Sequence, residues 1–430
     1  MSTLKVNKLR DTAGSADAIT LDPNGGAVLA GVTTVTSVKV GAAVTISESG
    51  IEASGIGITC ANINGAQIGG RRNLIINGAM QIAQRGTSTT MSTSDSKYLC
   101  DRWRVKTANA DNVAMTISQD ATSYPTDFGQ CLKIDITTAE TTLDSNEYLQ
   151  VQQRIEAQNL QHINNGTSNA KSLVLSFYVK AYQAGNYAVA IYKGDNTQRL
   201  ITLPYTINAS ATWEKKVVVI PADTSGGGIA NDTGIGYQLD WFLAAGSGYT
   251  STDSTSWINY ASTGYAYGQA VNTMSSTDNY WQITGVQLEI GSTATAFEFR
   301  SYGEELSLCQ RYFHSVINQG WLTAGYQGSY LALGVYLGGS KMAGYWYHPV
   351  PMRSNPTLIQ GTVTNGWGIY RADGNDQFND LGGIITNSVA LHGKEFTLTE
   401  VSSNVSGSGG DSGVISVSSD DAYVQFSSEL

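Results

Sequence analysis

From Asn73 onward the chain alternates apolar and polar residues with a period of two, in short runs separated by Gly, Asn, Asp and Ser. AMTISQ, QCLKIDIT, EYLQVQQRIEA, KSLVLSFYVKA, NYAVAIYKG, RLITLPYTI, TWEKKVVVIP, GYQLDWFLAAG and NYWQITGVQLEIG are rich in Val, Ile, Tyr, Phe and Trp, and each suits one strand. Roughly eight to ten such strands, with no helical run between them, predict a β-sandwich of jelly-roll kind over 73–300. Helical periodicity is conspicuous mainly at SYGEELSLCQRYF, where Ser301 and Glu304 stand as a capping box and Leu306, Cys309 and Phe313 follow on one face. This short helix is expected to join the sandwich to a small all-β module over 301–430. There YLALGVYLGG, AGYWYHPVPM, PTLIQGTV, GIYRADG, EFTLTEVS, GVISVSS and AYVQFSSEL read as strands with glycines at the turns.

The first 72 residues differ. Short β runs such as VTTVTSVKV, AAVTISES and IEAS are punctuated by Gly41, Gly50, Gly55, Gly57 and Gly65. No single strand pair of this kind buries enough surface to fold alone, so a slender stalk that gains its core by stacking between chains is expected. Composition supports that division. All of the 9 Phe, 8 Trp and 23 Tyr lie from Tyr98 onward, so the N-terminal fifth lacks the bulky side chains a globular core uses. The fold class is therefore all-β: an N-terminal β stalk, a central jelly roll, and a C-terminal β module joined by a helix.

Charge and cysteine usage remove several functions. A net charge of -10, with no basic cluster larger than Arg71-Arg72 or Lys215-Lys216, argues against a nucleic-acid binder. The 301–430 segment is itself acidic, with Arg311, Lys341, Arg353, Arg371 and Lys394 against a larger number of carboxylates. No signal-peptide pattern opens the sequence, and no apolar run is long enough for a membrane span, so neither secretion by the usual route nor membrane insertion is expected. Cys60, Cys100, Cys131 and Cys309 are scattered without C-x-x-C spacing and read as buried thiols.

Several segments resemble phage tail fibres of the cyanophage type. MSTLKVNKLRDTAGS with AITLDPNG is similar to the start of such fibres. NLIINGAMQIAQRG (73–86), DRWRV (101–105), QRIEAQNL (153–160), LSFYVKA (175–181), TWEKKVVVIP (212–221) and GVQLEIGSTATAFEFRSYGEELSLCQRYF (285–313) resemble a fibre module akin to carbohydrate-binding jelly rolls. PVPMRSNPTLI (349–359) resembles the stretch that often follows it. The resemblance implies a homotrimer made in the host cytoplasm and carried on the virion. Its N-terminus would join other tail or baseplate proteins, and its globular part would face a host surface polysaccharide or lipopolysaccharide. It supplies no ligand-contact positions.

Sugar recognition needs flat apolar rings for the C–H face of a pyranose and a few polar groups for its hydroxyls. Two clusters offer them. Tyr237, Trp241, Tyr249, Trp257, Tyr260, Tyr265 and Tyr267 surround a Gly/Ser/Thr/Tyr stretch from Gly246 to Ser276 that exceeds an ordinary connection. Trp321, Tyr326, Tyr330, Tyr336, Tyr345, Trp346, Tyr347 and Trp367 fall in the terminal module. Core packing is the competing use of any one ring, most clearly for Trp241. The expected receptor surface is distal, with Trp321, Tyr326, Tyr330, Tyr345, Trp346, Tyr347 and Trp367, and Tyr249 and Trp257 of the first cluster are further candidates.

Catalysis has little support in the sequence. His162, His314, His348 and His392 form no zinc or triad pattern, and no G-x-S-x-G elbow occurs. Glu395 with Glu400, or Asp373 with Asp376, are the nearest candidates for a glycosidase pair and read as solvated charges. DGNDQFND (373–380) departs from the EF-hand order, so neither a metal nor another cofactor is expected. The expected function is non-catalytic adsorption. A polysaccharide-degrading tailspike and a connector or baseplate-associated fibre are the alternatives.

Overall fold

The computed structural model describes residues 71–317 throughout, most of 329–378 and 396–430, and short strands within 1–70. The chain packs as two compact units, Met1–Ala61 and Asn62–Leu430. In the first unit, Ser37–Val40, Val44–Ser47 and Gly50–Ala53 form an antiparallel meander, as the glycine-punctuated runs predict. Lys8–Leu9, Ile19–Leu21 and Ala27–Leu29 form a second small sheet.

The second unit opens with a short hairpin, Asn62–Ile63 paired with Ala66–Gln67, and continues as a two-sheet antiparallel sandwich. Its strands are β1 (Ser88–Ser92), β2 (Ser96–Tyr98), β3 (Arg104–Ala108), β4 (Ala114–Asp120), β5 (Cys131–Thr138), β6 (Tyr148–Glu156) and β7 (Leu173–Ala181). They continue as β8 (Gly185–Lys193), β9 (Arg199–Ile207), β10 (Glu214–Ile220), β11 (Ile235–Ala245), β12 (Ile258–Asn259) and β13 (Tyr280–Ile290). One sheet has the order β2-β3-β6-β11-β8-β9-β12 and the other β10-β7-β13-β5-β4-β1. The chain stays within one sheet at β2–β3, β4–β5, β8–β9 and β11–β12 and passes to the other sheet at every other connection. That path is a jelly roll. Trp103, Phe177, Trp241, Tyr187 and Tyr205 fill its centre, with Trp103 and Trp241 centroids 5.4 Å apart and Phe177 edge-on to Trp241 at 5.9 Å.

Helix α1 (Tyr302–Gln310) follows, with Ser301 at its N-cap. The cap differs from expectation: Ser301 makes no side-chain cap hydrogen bond, and Glu304 pairs instead with Arg71. The buried side of the helix is Glu305 and Cys309, while Leu306 is half-buried. Glu305 is tolerated there because its Oε1 accepts from Asn77 N at 2.6 Å and from Arg300 at 3.2 Å.

The terminal module has two small sheets. β14 (Phe313–Ile317) and β17 (Thr357–Gln360) flank β22 (Val424–Ser427). The larger sheet contains β15 (Ser329–Gly338), β16 (Lys341–Tyr347), β18 (Trp367–Arg371), β19 (Gly374–Phe378), β20 (Phe396–Val401) and β21 (Ser412–Val417), in the order β19-β18-β21-β15-β16-β20. Among the described residues, no helix is long and apolar enough to cross a membrane. Cys100, Cys131 and Cys309 are free and buried, as expected; Cys60 lies outside the described residues.

Charged residues join sandwich and module. Arg311 grips Glu156 bidentately at 2.7 and 2.8 Å, and the Tyr312 hydroxyl donates to the same carboxylate at 2.5 Å. Arg102 is buried, pairs with Glu429 and stacks over the Tyr312 ring at 3.4 Å. Arg85 reaches Glu429 at 3.1 Å and lies over Phe313 at 3.4 Å. Arg353 donates to Ser428 O, Glu429 O and Thr233 O. Four arginines thus satisfy carboxylates and carbonyls that the joint has removed from water.

Candidate functional site

The outer face of the seven-stranded sheet is set by register. Arg104, Gln152, Asp240, Ala190 and Thr202 lie in one row across β3, β6, β11, β8 and β9; Lys106, Gln150, Phe242, Ala188 and Pro204 form the next. The β8–β9 half is small and apolar, and the Gly246–Ser276 stretch folds onto it. Thr202 Oγ1 donates to Gly264 O at 3.1 Å, and Ser254 Oγ to the same carbonyl at 2.7 Å. Gly268 has φ +85°, and a Cβ there would sit 2.4 Å from Pro204, so only glycine lets the loop lie this close. Tyr265 closes over the middle of the sheet beside Phe242, centroids 5.0 Å apart.

Asp240 lies under that cover, fully buried. It accepts from the Tyr265 hydroxyl at 2.6 Å, Gln238 Nε2 at 2.9 Å and Gln152 Nε2 at 2.7 Å. Burial raises its pKa, and these hydrogen bonds together with Arg154 oppose the rise. Both carboxylate oxygens are therefore committed within the protein.

The β3–β6 half stays polar. Gln150 and Gln152 are 1% and 2% exposed, and the Oε1 of each lacks a hydrogen-bond partner. Above them stand Arg104, with its buried Nε also unpartnered, and Lys106, whose Nζ lies 5.3 Å from the Tyr148 ring centroid. Burial, then the Arg104 charge, lowers the Lys106 pKa, which Asp240 partly offsets. Tyr148 meets Tyr249 edge-on at 5.2 Å at the rim of this half, and on the β8–β12 side Tyr192 meets the exposed Tyr260 at 5.2 Å. Unused acceptors, two cations and ring edges are thus concentrated on one face of an acidic protein.

The expected site residues are scattered. Tyr249 is half-buried on this rim, and its hydroxyl donates to Asn146 O at 3.2 Å. Trp257 is half-buried elsewhere, stacked on Tyr237 at 6.1 Å, with Nε1 donating to Pro221 O at 2.7 Å. Tyr237, Trp241 and Tyr265 are buried. In the terminal module Trp346 and Trp367 are 3% and 0% exposed, and Tyr336 is 1% exposed. This corrects their placement on a receptor surface: these rings form the module's core with Met342, Ile369, Val417 and Phe426. Tyr345 and Tyr347 are exposed, the latter at 77%. Tyr330 lies on β15 with its side chain outside the described residues; Trp321 and Tyr326 lie outside them altogether.

The outward side of the same sheet also exposes Leu333, Val335 and Leu337, the first at 70%. Sequence reading missed this apolar row, although Leu333, Val335 and Leu337 alternate with Gly334 and Tyr336 at the period that signals a shared face.

Among the described residues, Asp111, Asp144 and Glu147 are the acidic group whose ligand atoms come within 4.8 Å of one another. The Glu147 carboxylate already accepts from Asp144 N at 2.7 Å. Residues 374–378 of the DGNDQFND stretch form β19, paired with β18 in a hairpin.

No family model matches the chain, and no curated protein matches it. Among solved structures it is similar to the enzymatically active domain of a tailspike protein from Bacteriophage CBA120, at 12% identity and TM-score 0.25, over 51% of this chain and 21% of that one. The match therefore spans about a fifth of that protein. A xylan-binding domain from Paenibacillus barcinonensis gives 13% identity and TM-score 0.26, over 47% of this chain and 98% of that one. A family 11 carbohydrate-binding module from Clostridium thermocellum, solved with a mixed-linked tetrasaccharide, gives 11% identity and TM-score 0.22, over 50% and 98%.

Proposed function

We propose that the chain is a virion fibre that adsorbs to a host surface glycan without cleaving it. The carrying observation is the polar half of the seven-stranded sheet. Arg104 and Lys106 stand half-buried over the enclosed Gln150 and Gln152 side chains, where they can donate to sugar hydroxyls, and the Tyr148–Tyr249 pair supplies ring surface for C–H groups. Arg104 and Lys106 would favour a glycan bearing carboxylate or phosphate groups. The absence of cleavage is inferred from Asp240: the carboxylate on this face is enclosed by a phenol, two amides and Arg154, whereas glycoside hydrolysis uses two carboxylates flanking the sugar.

Assembly as a homotrimer on the tail is inferred from two features. The resemblance of the 73–86, 101–105, 153–160 and 285–313 segments to tail fibres is one. The other is the bare apolar side of the terminal sheet, which a second copy would cover. Several weak sites per fibre would then act together through avidity.

The test uses the purified full chain and host cells. Binding is expected to compete with phage adsorption, to fall at least tenfold in the double variant Gln150→Ala, Lys106→Gln, and to release no reducing ends from isolated capsule or lipopolysaccharide. Released oligosaccharide would establish the tailspike alternative. Unimpaired binding by the double variant would remove the site, and no binding at all would favour a connector.

A further inference from the structure

The outer face of the six-stranded sheet carries a cleft that the adsorption reading does not use. Phe128, Tyr178, Phe297 and Phe299 line a cavity of about 240 Å³. Phe297 and Phe299 meet edge-on with centroids 4.8 Å apart, and Phe128 meets Phe297 in the same way at 5.1 Å. The sheet is shaped to admit these rings. A bulge interrupts β7 between Ser176 and Tyr178, and across from it Gly285 has φ +62°. A Cβ on Gly285 would lie 2.6 Å from the Phe128 ring and 3.0 Å from the Tyr178 ring. Only glycine therefore leaves room for them.

The strip bearing Phe297 and Phe299 is pinned at each intervening residue. Thr295 N donates to Glu289 at 2.8 Å, Gln287 Nε2 donates to Ala296 O at 3.2 Å, and Glu298 N donates back to Gln287 Oε1 at 2.7 Å. The Glu298 carboxylate accepts from Arg72 N and Asn73 N at 2.8 and 2.7 Å. Phe299, between fixed neighbours, remains 54% exposed. Its ordering cost is met by these anchors, while the benefit of burying its ring is left for something that arrives from outside.

The polar groups around the cleft keep hydrogen-bonding capacity, although the Lys215 ammonium already lies 6.0 Å from the Tyr178 ring centroid. The Ser176 hydroxyl, on a residue 4% exposed, has no hydrogen-bond partner among the described residues. Asp127 and Lys215 stand on the rim, and neither forms an ion pair or a side-chain hydrogen bond among them. The volume is below the roughly 300–1,000 Å³ of sites for larger ligands and suits one ring.

We propose that this cleft is a second carbohydrate site, holding a single pyranose residue with its C–H face on Phe299 and its hydroxyls toward Ser176, Asp127 and Lys215. The choice of a sugar rests on the glycan-binding reading above; the existence of a second site does not depend on which glycan the first one takes. A chain with sites on both sheets would engage two branches of a surface polysaccharide at once.

The probes are the methyl glycosides of glucose, N-acetylglucosamine and glucuronic acid, read by saturation-transfer NMR on the full chain. At least one is expected to show transfer that falls fivefold or more in Phe299→Ala and in Ser176→Val, and that persists in Gln150→Ala, Lys106→Gln. Lack of transfer from every probe, or transfer indifferent to Phe299→Ala, overturns the cleft. So does a change in sedimentation of Phe299→Ala, since the ring would then be covered by another copy. Circular dichroism of each variant must match the parent, and Phe299→Tyr, which keeps the ring, is expected to retain binding. Loss of host-cell binding in the Gln150, Lys106 variant with cleft transfer intact separates the two sites.

Discussion

The sandwich and the terminal module have similar strand content but finish their surfaces differently. The sandwich folds its own Gly246–Ser276 stretch over one half of a sheet, and Thr202, Ser254 and Tyr265 bind that cover to the strands. The module leaves Leu333, Val335, Leu337, Tyr345 and Tyr347 bare on one side while packing Trp346 and Trp367 on the other. An aromatic-rich segment is therefore a poor guide to a binding surface. The sandwich spends most of its rings internally and displays polar chemistry. The module spends its tryptophans internally and displays a surface whose physical demand is to be covered.

The comparison breaks most severely at the joint. Arg102→Ala leaves the Glu429 carboxylate with Arg85 as its remaining partner and removes the guanidinium from Tyr312, and is expected to cost about 3 kcal/mol. Calorimetry should then resolve two transitions where one is expected for the parent; a single unshifted transition would mean that the two regions do not depend on each other.

Acid should act on them with opposite sign. Burial raises the Asp101 pKa to about 6 against 3.8, with Arg85 and Gln84 opposing the rise. The protonated form is thus favoured in the fold, so its contribution is fully present below about pH 4 and is lost as pH rises to about 6. The change is about 3 kcal/mol. In the module, burial lowers His314 and His348 to about 4 from 6.5, and the two rings lie edge-on at 5.9 Å. Their contribution is present above pH 6.5 and lost as pH falls toward 4. In the Arg102→Ala background, where the two transitions separate, Asp101→Asn should flatten the sandwich's slope between pH 4 and 6 and leave the module's untouched; denaturant titrations at stepped pH measure both.

A smaller effect isolates the bare face. Leu337→Ser should weaken association between copies by about 1.5–3 kcal/mol, one to two orders of magnitude in dissociation constant, with little effect on the module's melting. Sedimentation equilibrium decides, and unchanged association would show that this surface meets something other than its own kind. The smallest change expected is for Lys106→Gln alone. Weakening of about 1 kcal/mol toward an acidic glycan, absent at high salt, would confirm that charge on the sandwich face contributes.

The strands were legible because each carries its own period-two signal, and even the jelly-roll class followed from their number and spacing. Their outer faces were not. Gln150, Gln152 and Asp240 occupy the polar positions of β6 and β11 and read locally as solvated, yet they are buried by side chains and a loop from elsewhere in the chain. The module shows a different failure. Alternation along KMAGYWY separates Tyr345 and Tyr347 from Trp346, so the pattern contained the distinction between face and core; position near the distal end was given more weight. Phe297 and Phe299 alternate in the same way around Glu298, but their role depends on a bulge and a glycine on two other strands. The segments that resemble tail fibres supply many of the joint's residues: Arg102, Glu156, Arg311, Tyr312 and Arg353 all lie in them. These residues serve the architecture of the joint, which is why the segments indicated the fold more clearly than the ligand.

That joint has a mechanical meaning. Bidentate pairing of Arg311 with Glu156 resists twisting about either bond, and planar stacking of Arg102 and Arg85 over Tyr312 and Phe313 resists separation while spreading load over a ring. Torque applied to the terminal module would pass into the sandwich through short side-chain struts. A contact at one end of the unit would be felt at the other as rotation of a lever.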